Sequence, residues 1–300
     1  MNAPLPNRPV EGEPRSAAGL APERRNSDVE PLSHDHALVA ALTDVTRAAG
    51  ALAQEYFRPG EKTSAPIHRK EDGSPVTEAD LAVNRFLEQR LRGLLPAAGW
   101  LSEESADAPE RRDGELVLVV DPIDGTRAFA TGNPVWAVSV ALVDRHRPVI
   151  GIVHAPALAE TYVGVKDAGA RLNGRAIEVS RRRSFDAEAM VGGPFGFAQR
   201  LRSAGLEFEL LPKIPSLAVR VSKVAAGALD AALISANAHD WDIAACDLIV
   251  TEAGGTLRSL RGRQPLYNRV HTMHGELVAG PEVLLAQLAA ADGHATAPEL

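Results

Sequence analysis

Two aspartates three residues apart, Asp121 and Asp124, close the apolar run Leu116-Val117-Leu118-Val119-Val120 and are followed by Gly125 and Thr126. A run this apolar reads as a buried strand. Carboxylates at its mouth repel one another unless a cation compensates them. Oxygen ligands alone favour a hard divalent ion such as Mg²⁺ over zinc. Pro122 fixes one backbone angle, and Gly125 lets the chain pass close to a bound group. A helix starting at Thr126 would turn its first amides toward an anion. Taken alone, the same residues are also an ordinary Asp-Pro, Asp-Gly turn.

Other carboxylates stand in similar places. Glu103-Glu104 follow Gly99-Trp100-Leu101-Ser102, again charge at the end of a short apolar run, although adjacent glutamates are more often a solvated loop. Asp240-Trp241-Asp242 opens an apolar segment that stops at Gly254-Gly255. There Asp is also a preferred helix cap and Gly a preferred helix stop. Thr77-Glu78-Ala79-Asp80 reads as a capping box, which leaves Asp80 able to serve a site as well. The pair in His34-Asp35-His36 is assigned no role. The sequence has no Cys or His cluster at metal-ligand spacing, no Gly-x-Ser-x-Gly elbow and no Walker loop.

These residues need elements to bring them together. Leu38, Leu42, Val45, Ala48 and Leu52 form a helical stripe that predicts a helix over 36–57 capped by Ser33. Val83, Phe86, Leu87, Leu91 and Leu94 predict a second, from Thr77 to Pro96. Short strands are expected at 99–102, 116–120, 135–143, 148–154 and 160–165, joined tightly enough for an antiparallel meander. Beyond about 185 the pattern alternates: helix 216–228, strand 230–234, helix 242–253, strands 256–260 and 276–279, helix 281–290. The expected organisation is a flexible tail over 1–33, an α+β metal-binding subdomain over 34–184, and an α/β subdomain over 185–300 that completes the site.

Composition narrows the function. The chain has 300 residues, 45% of them apolar, and a net charge of −7, so no basic surface argues for a nucleic acid polymer or an acidic membrane. Cys246 is the single cysteine, which rules out an intrachain disulfide. No apolar run is long enough to span a bilayer and no leader pattern opens the chain, so a cytoplasmic protein is expected.

Val76-Thr77-Glu78-Ala79-Asp80, Ser102-Glu103-Glu104-Ser105, Asp121-Pro122-Ile123-Asp124-Gly125-Thr126 and Trp241-Asp242-Ile243-Ala244-Ala245, with Thr251-Glu252-Ala253-Gly254-Gly255, together resemble the inositol monophosphatase superfamily in content, order and spacing. The likeness runs from about residue 36 to 290. It implies a layered αβαβα fold with an antiparallel sheet in the first half and a mixed sheet in the second, a homodimer, and hydrolysis of a small phosphorylated metabolite with two or three Mg²⁺ per active site. By motif position, Glu103, Asp121, the Ile123 carbonyl and Thr126 would surround one ion, and Asp121, Asp124 and Asp242 another. Asp80 and Thr126, with Glu103, would activate water. Asp124, Gly125, Thr126 and Asp242 would hold the substrate, with Glu104 supporting the ligands from behind. A non-catalytic descendant would be expected to have lost at least one of these residues.

The resemblance leaves several phosphate esters open. Where inositol enzymes continue with a small or β-branched residue and Asn-Phe, this chain has Arg127-Ala128-Phe129. Where they place a glutamate six residues before the Trp-Asp pair, it has Ser235. Arg220 stands where nucleotidases often carry a lysine and would face a second phosphate, although an arginine on a solvated helix face is at least as good a reading. The pattern leans toward a 3'(2'),5'-bisphosphate nucleotidase, then an inositol-1-phosphatase, then a histidinol phosphatase.

Overall fold

The computed structural model describes Met1, residues 35–70 and residues 73–293. The rest of the expected tail, including Ser33, lies outside the described residues. Helix α1 (His36–Tyr56) is capped by Asp35, whose side chain accepts from the amides of Ala37 and Leu38. Its buried face is Leu42, Thr46, Ala49 and Ala53, while Leu38, Val45 and Leu52 flank it half-buried and Ala48 is exposed. The expected stripe was therefore turned slightly off the true one, because small residues rather than large ones meet the neighbouring elements.

A hairpin of β1 (Ile67–Arg69) and β2 (Pro75–Thr77) leads into α2 (Glu78–Leu94). The capping box is formed as its sequence implies, with Thr77 as cap and Asp80 closing the ring. Val83, Leu87 and Leu91 are fully buried against α1 and the first large sheet, whereas Leu94 is exposed at the helix end.

That sheet has seven strands in chain order: β3 (Gly99–Ser102), β4 (Leu116–Asp124), β5 (Ala137–Asp144), β6 (Arg147–Ala155), β7 (Glu160–Val165), β8 (Gly169–Leu172) and β9 (Arg175–Ala176). Short connections make β4 to β9 an antiparallel meander. The longer passage through 103–115 returns the chain so that β3 lies parallel to β4. Alternate residues of β4 feed two different cores: Leu118 and Val120 pack toward α1 and α2, and Val117 and Val119 toward the opposite side. Both faces are covered, which is why β4 reads as an unbroken apolar run rather than an alternating one.

The second sheet is mixed, in the order β11 (Glu209–Leu210), β10 (Met190–Gly192), β12 (Ala231–Ile234), β14 (Leu277–Gly280), β13 (Thr256–Arg258). Between the two sheets lie α5 (Leu217–Ala225) and α6 (Asp240–Glu252), and one core joins residues of both helices to both sheets. From Ile243 to Val250 every residue of α6 is buried, as expected of a helix sandwiched between two apolar faces. A Cβ on Gly151 would stand 2.4 Å from the Ala245 carbonyl, so that glycine allows α6 to lie directly on β6. Helices α4 (Phe195–Ser203) and α7 (Glu282–Ala291) cover the outer face of the second sheet. The layers thus run helix, sheet, helix, sheet, helix. One further short helix, α3 (Thr126–Ala130), follows β4 directly.

Candidate active site

Strand β4 delivers its two aspartates at the point where its pairing with β5 breaks register, between Asp121 and Asp124. The Asp121 carboxylate accepts from the Ile123 amide at 3.0 Å within this irregular stretch. Gly125 follows at φ 92°, a left-handed backbone where a Cβ would also come within 3.2 Å of the Val135 carbonyl. Asp124 reaches across to the start of α5, where its carboxylate accepts from the Ser216 hydroxyl, the Ala218 amide at 2.7 Å and the Leu217 amide at 3.3 Å. Asp242, in the first turn of α6, accepts from the His239 amide at 2.6 Å.

Oxygens of Asp121, Asp124 and Asp242 all lie within 4.8 Å of one another. Three carboxylates so placed disfavour their own charge. Burial, then the charges of Glu103, Asp124 and Asp242, push the Asp121 carboxyl well above the usual carboxylate range. Burial, then Asp124, does the same for Asp242. Burial lifts Asp124 to about 6 even though Ser216, Ala218 and Leu217 all favour its charged form. An all-oxygen cluster whose protein donors do not offset its charge is the donor set of a hard divalent cation, and the residues present fit Mg²⁺.

Glu103 and Glu104 stand at the end of β3 beside this cluster. Lys70, from the turn between β1 and β2, lies 2.7 Å from a Glu103 oxygen and 2.6 Å from a Glu104 oxygen. Burial pulls the lysine down, but the two glutamates more than reverse it and hold it above its ordinary value. Glu104 is lifted to about 7, chiefly by burial, with Lys70 opposing. Behind the aspartates, Thr126 Oγ1 is 3.2 Å from Asp80 Oδ1 and 3.1 Å from the Ile123 carbonyl. The other oxygen of Asp80 is occupied by the Thr77 amide at 2.8 Å and the Thr77 hydroxyl at 2.6 Å. Asp80 thus closes the capping box with one oxygen and turns the other to Thr126. Burial raises it to about 6.

Glu103, Asp121, Asp124, Gly125, Thr126 and Asp242 border one cleft of about 290 Å³, together with Arg127 and Lys213. Of the residues singled out from the sequence, these and Arg127 line the cleft, Ile123 and Asp80 adjoin it through Thr126 and Glu104 through Lys70, and Arg220 and Ser235 stand outside it. Through Lys213 and Asp242 the cleft adjoins a larger cavity of about 710 Å³. Arg220 lines that cavity from α5. Its guanidinium is largely desolvated, which pulls its pKa down, and its Nε is buried without a hydrogen-bond partner. The solvated-face reading of Arg220 is thus overturned. Lys70, Ser216 and Lys213 were missed, since each is a single residue in an unremarkable stretch and only the fold carries it to the site.

The geometry invites comparison with known proteins. The profile of the inositol monophosphatase family matches residues 34–295. This chain belongs to that family. It is 30% identical to the 3'(2'),5'-bisphosphate nucleotidase CysQ of Aggregatibacter actinomycetemcomitans over 243 residues, 77% of this chain and 88% of the relative. It is 31% identical to an inositol-1-monophosphatase of Mesorhizobium japonicum over 256 residues, 83% and 93% of the two chains. Among solved structures, the extragenic suppressor protein suhB of Bartonella henselae superposes with a TM-score of 0.74 at 28% identity, covering 85% of this chain and 98% of that one. The inositol monophosphatase-family member described here is a phosphomonoesterase, of a family that generally uses Mg²⁺. Among the described residues no helix is long and apolar enough to cross a membrane.

Proposed function

We propose that the chain removes one phosphate from a small metabolite carrying two, with a 3'(2'),5'-bisphosphate nucleotide as the preferred substrate. The observation that carries this reading is the cationic lining of the larger cavity. Arg220 and Lys213 face it, and Asp242, already committed to the carboxylate cluster, is its one acidic lining residue among those described. A buried guanidinium nitrogen without a partner is costly, and a second phosphate beside it would relieve that cost. Relatives of about 30% identity include both a nucleotidase and an inositol-1-monophosphatase. The absence of a glutamate at Ser235 weighs against the polyhydroxylated ring.

In this reading Glu103, Asp121, the Ile123 carbonyl and Thr126 hold one Mg²⁺ and Asp121, Asp124 and Asp242 another, with two or three ions per site. Bound there, Mg²⁺ supplies Lewis-acid stabilisation of phosphoryl charge and lowers the pKa of water. Thr126 donates to Asp80 and accepts from the attacking water, so the proton passes toward Asp80. A carboxyl near 6 is suited to that work at neutral pH. Attack is in line at phosphorus, the bond to the leaving alcohol breaks, and no phosphorylated protein forms. Gly125 and Thr126, with Asp124 and Asp242, orient the scissile phosphate, and Arg127 stands at the cleft edge. Lys70 and Glu104 hold Glu103 in place. We further read the site as assembled by subdomains 34–184 and 185–300, in a cytoplasmic homodimer.

The test is phosphate release with Mg²⁺, comparing kcat/KM for 3'-phosphoadenosine 5'-phosphate, inositol-1-phosphate and histidinol phosphate in parallel. Preference for the bisphosphate supports the reading. Preference for inositol-1-phosphate replaces it with the inositol-1-monophosphatase reading that the second relative favours.

A further inference from the structure

Phe195 is the most exposed aromatic side chain among the described large apolar residues, at 68%. It is the first residue of α4, set by Pro194 at φ −67° and ψ 136°. The buried face of that helix is carried by Phe197, Ala198 and Leu201, which pack beneath the second sheet. Phe195 is not part of that core and instead lines the 710 Å³ cavity beside the carboxylate cluster. Gly193 before it meets Leu233 within 2.6 Å of where a Cβ would stand, so the turn that presents the ring is tightly docked.

The cavity wall supplies a second half to this arrangement. Leu210, Leu211, Pro215 and Leu217 give it an apolar side, while Ser235 and Asn237 add a hydroxyl and an amide. A polyhydroxylated ring finds few partners on such a wall. A flat heteroaromatic ring finds a π face to stack on and polar groups for its edge. The cavity of about 710 Å³ has room for a nucleoside.

We infer that Phe195 is a specificity-determining residue, the platform on which the nucleobase of the leaving group stacks while Arg220 and Lys213 receive the phosphate that is not cleaved. This rests on the bisphosphate reading above and extends it from the two phosphates to the base between them and solvent.

The experiment compares 3'-phosphoadenosine 5'-phosphate with 1-O-methyl-ribose 3,5-bisphosphate, which keeps both phosphates and lacks the base. The readout is the ratio of the two kcat/KM values in the Mg²⁺-loaded wild type, Phe195→Ala and Phe195→Trp. Base–aromatic stacking of ordinary strength predicts that Phe195→Ala lowers the ratio about 5- to 150-fold, mainly through KM for the nucleotide, and that Phe195→Trp keeps it. A ratio equal in wild type and Phe195→Ala, or a wild type that does not distinguish the two compounds, overturns the stacking role while leaving the two-phosphate reading intact. A wild type that cleaves inositol-1-phosphate and neither bisphosphate overturns the bisphosphate reading and this inference with it.

Discussion

Replacing Asp121 by asparagine removes one charge from the centre of the carboxylate cluster and leaves its shape almost unaltered. The Asp121 carboxylate accepts from the Ile123 amide, a bond that an asparagine oxygen keeps. Asp124 offers no such clean experiment, because two amides and a hydroxyl all donate to it. Burial and the neighbouring carboxylates raise the Asp121 carboxyl well above its usual range. Such a group stabilises the fold below its unfolded pKa, near 4, and that contribution is lost as pH rises through the folded value. At neutral pH folding of the metal-free protein must therefore either bury that charge or take up a proton, at a cost of about 1.4 kcal/mol for each tenfold gain in the carboxylate's proton affinity on folding. Asp121→Asn should raise the melting temperature of EDTA-treated protein at about pH 7.5, by roughly 2–4 °C for each kcal/mol relieved, with no gain near pH 4. The same substitution removes the residue proposed to serve both ions. A loss of ~4 kcal/mol of charge stabilisation corresponds to a roughly 10³-fold fall in kcat. Parallel thermal melts and phosphate-release assays decide it. A variant that turns over within tenfold of wild type, or that melts below wild type when metal-free, refutes the reasoning.

Two other perturbations probe the same site. Thr126→Ala breaks the link to Asp80 and should lower kcat by about 10²- to 10⁴-fold with a smaller change in KM; equal kcat in a steady-state assay would remove Thr126 from the proton path. The melting-temperature gain from saturating Mg²⁺ should shrink as pH falls through about 6, where protons compete for Asp124. A gain that grows on acidification would show that Asp124 does not hold the ion.

Much of the site was legible in the sequence because its residues sit at the ends of strongly patterned elements. Strand β4 is apolar on both faces and ends in Asp121, and Asp242 opens a helix apolar all round, so each carboxylate is marked by the element it terminates. The capping box over Thr77–Asp80 was read from four residues. What was not legible depends on packing across the chain. Ser216 matters only because α5 begins where Asp124 arrives, and Lys70 only because the end of β1 sets it beside Glu103 and Glu104. Strands β10 and β11, of three and two residues, are too short to show a period. The cap of α1 shifted from Ser33 to Asp35 because both residue types cap well and the sequence around them does not distinguish the two. Arg220 could be read as facing a phosphate or as solvated, because its helix lies between layers, a placement that its own nine residues do not reveal.

The most direct measurement is the ratio of kcat/KM for 3'-phosphoadenosine 5'-phosphate to that for adenosine 3'-monophosphate, on EDTA-treated protein restored with Mg²⁺. The two compounds differ only in the phosphate that Arg220 and Lys213 are proposed to receive. Charge-assisted hydrogen bonds of ordinary strength give a preference of about 10²-fold or more for the bisphosphate, lost in Arg220→Met, with no release before Mg²⁺ is returned. Equal values for the two nucleotides, or full activity in EDTA, would contradict the proposed function.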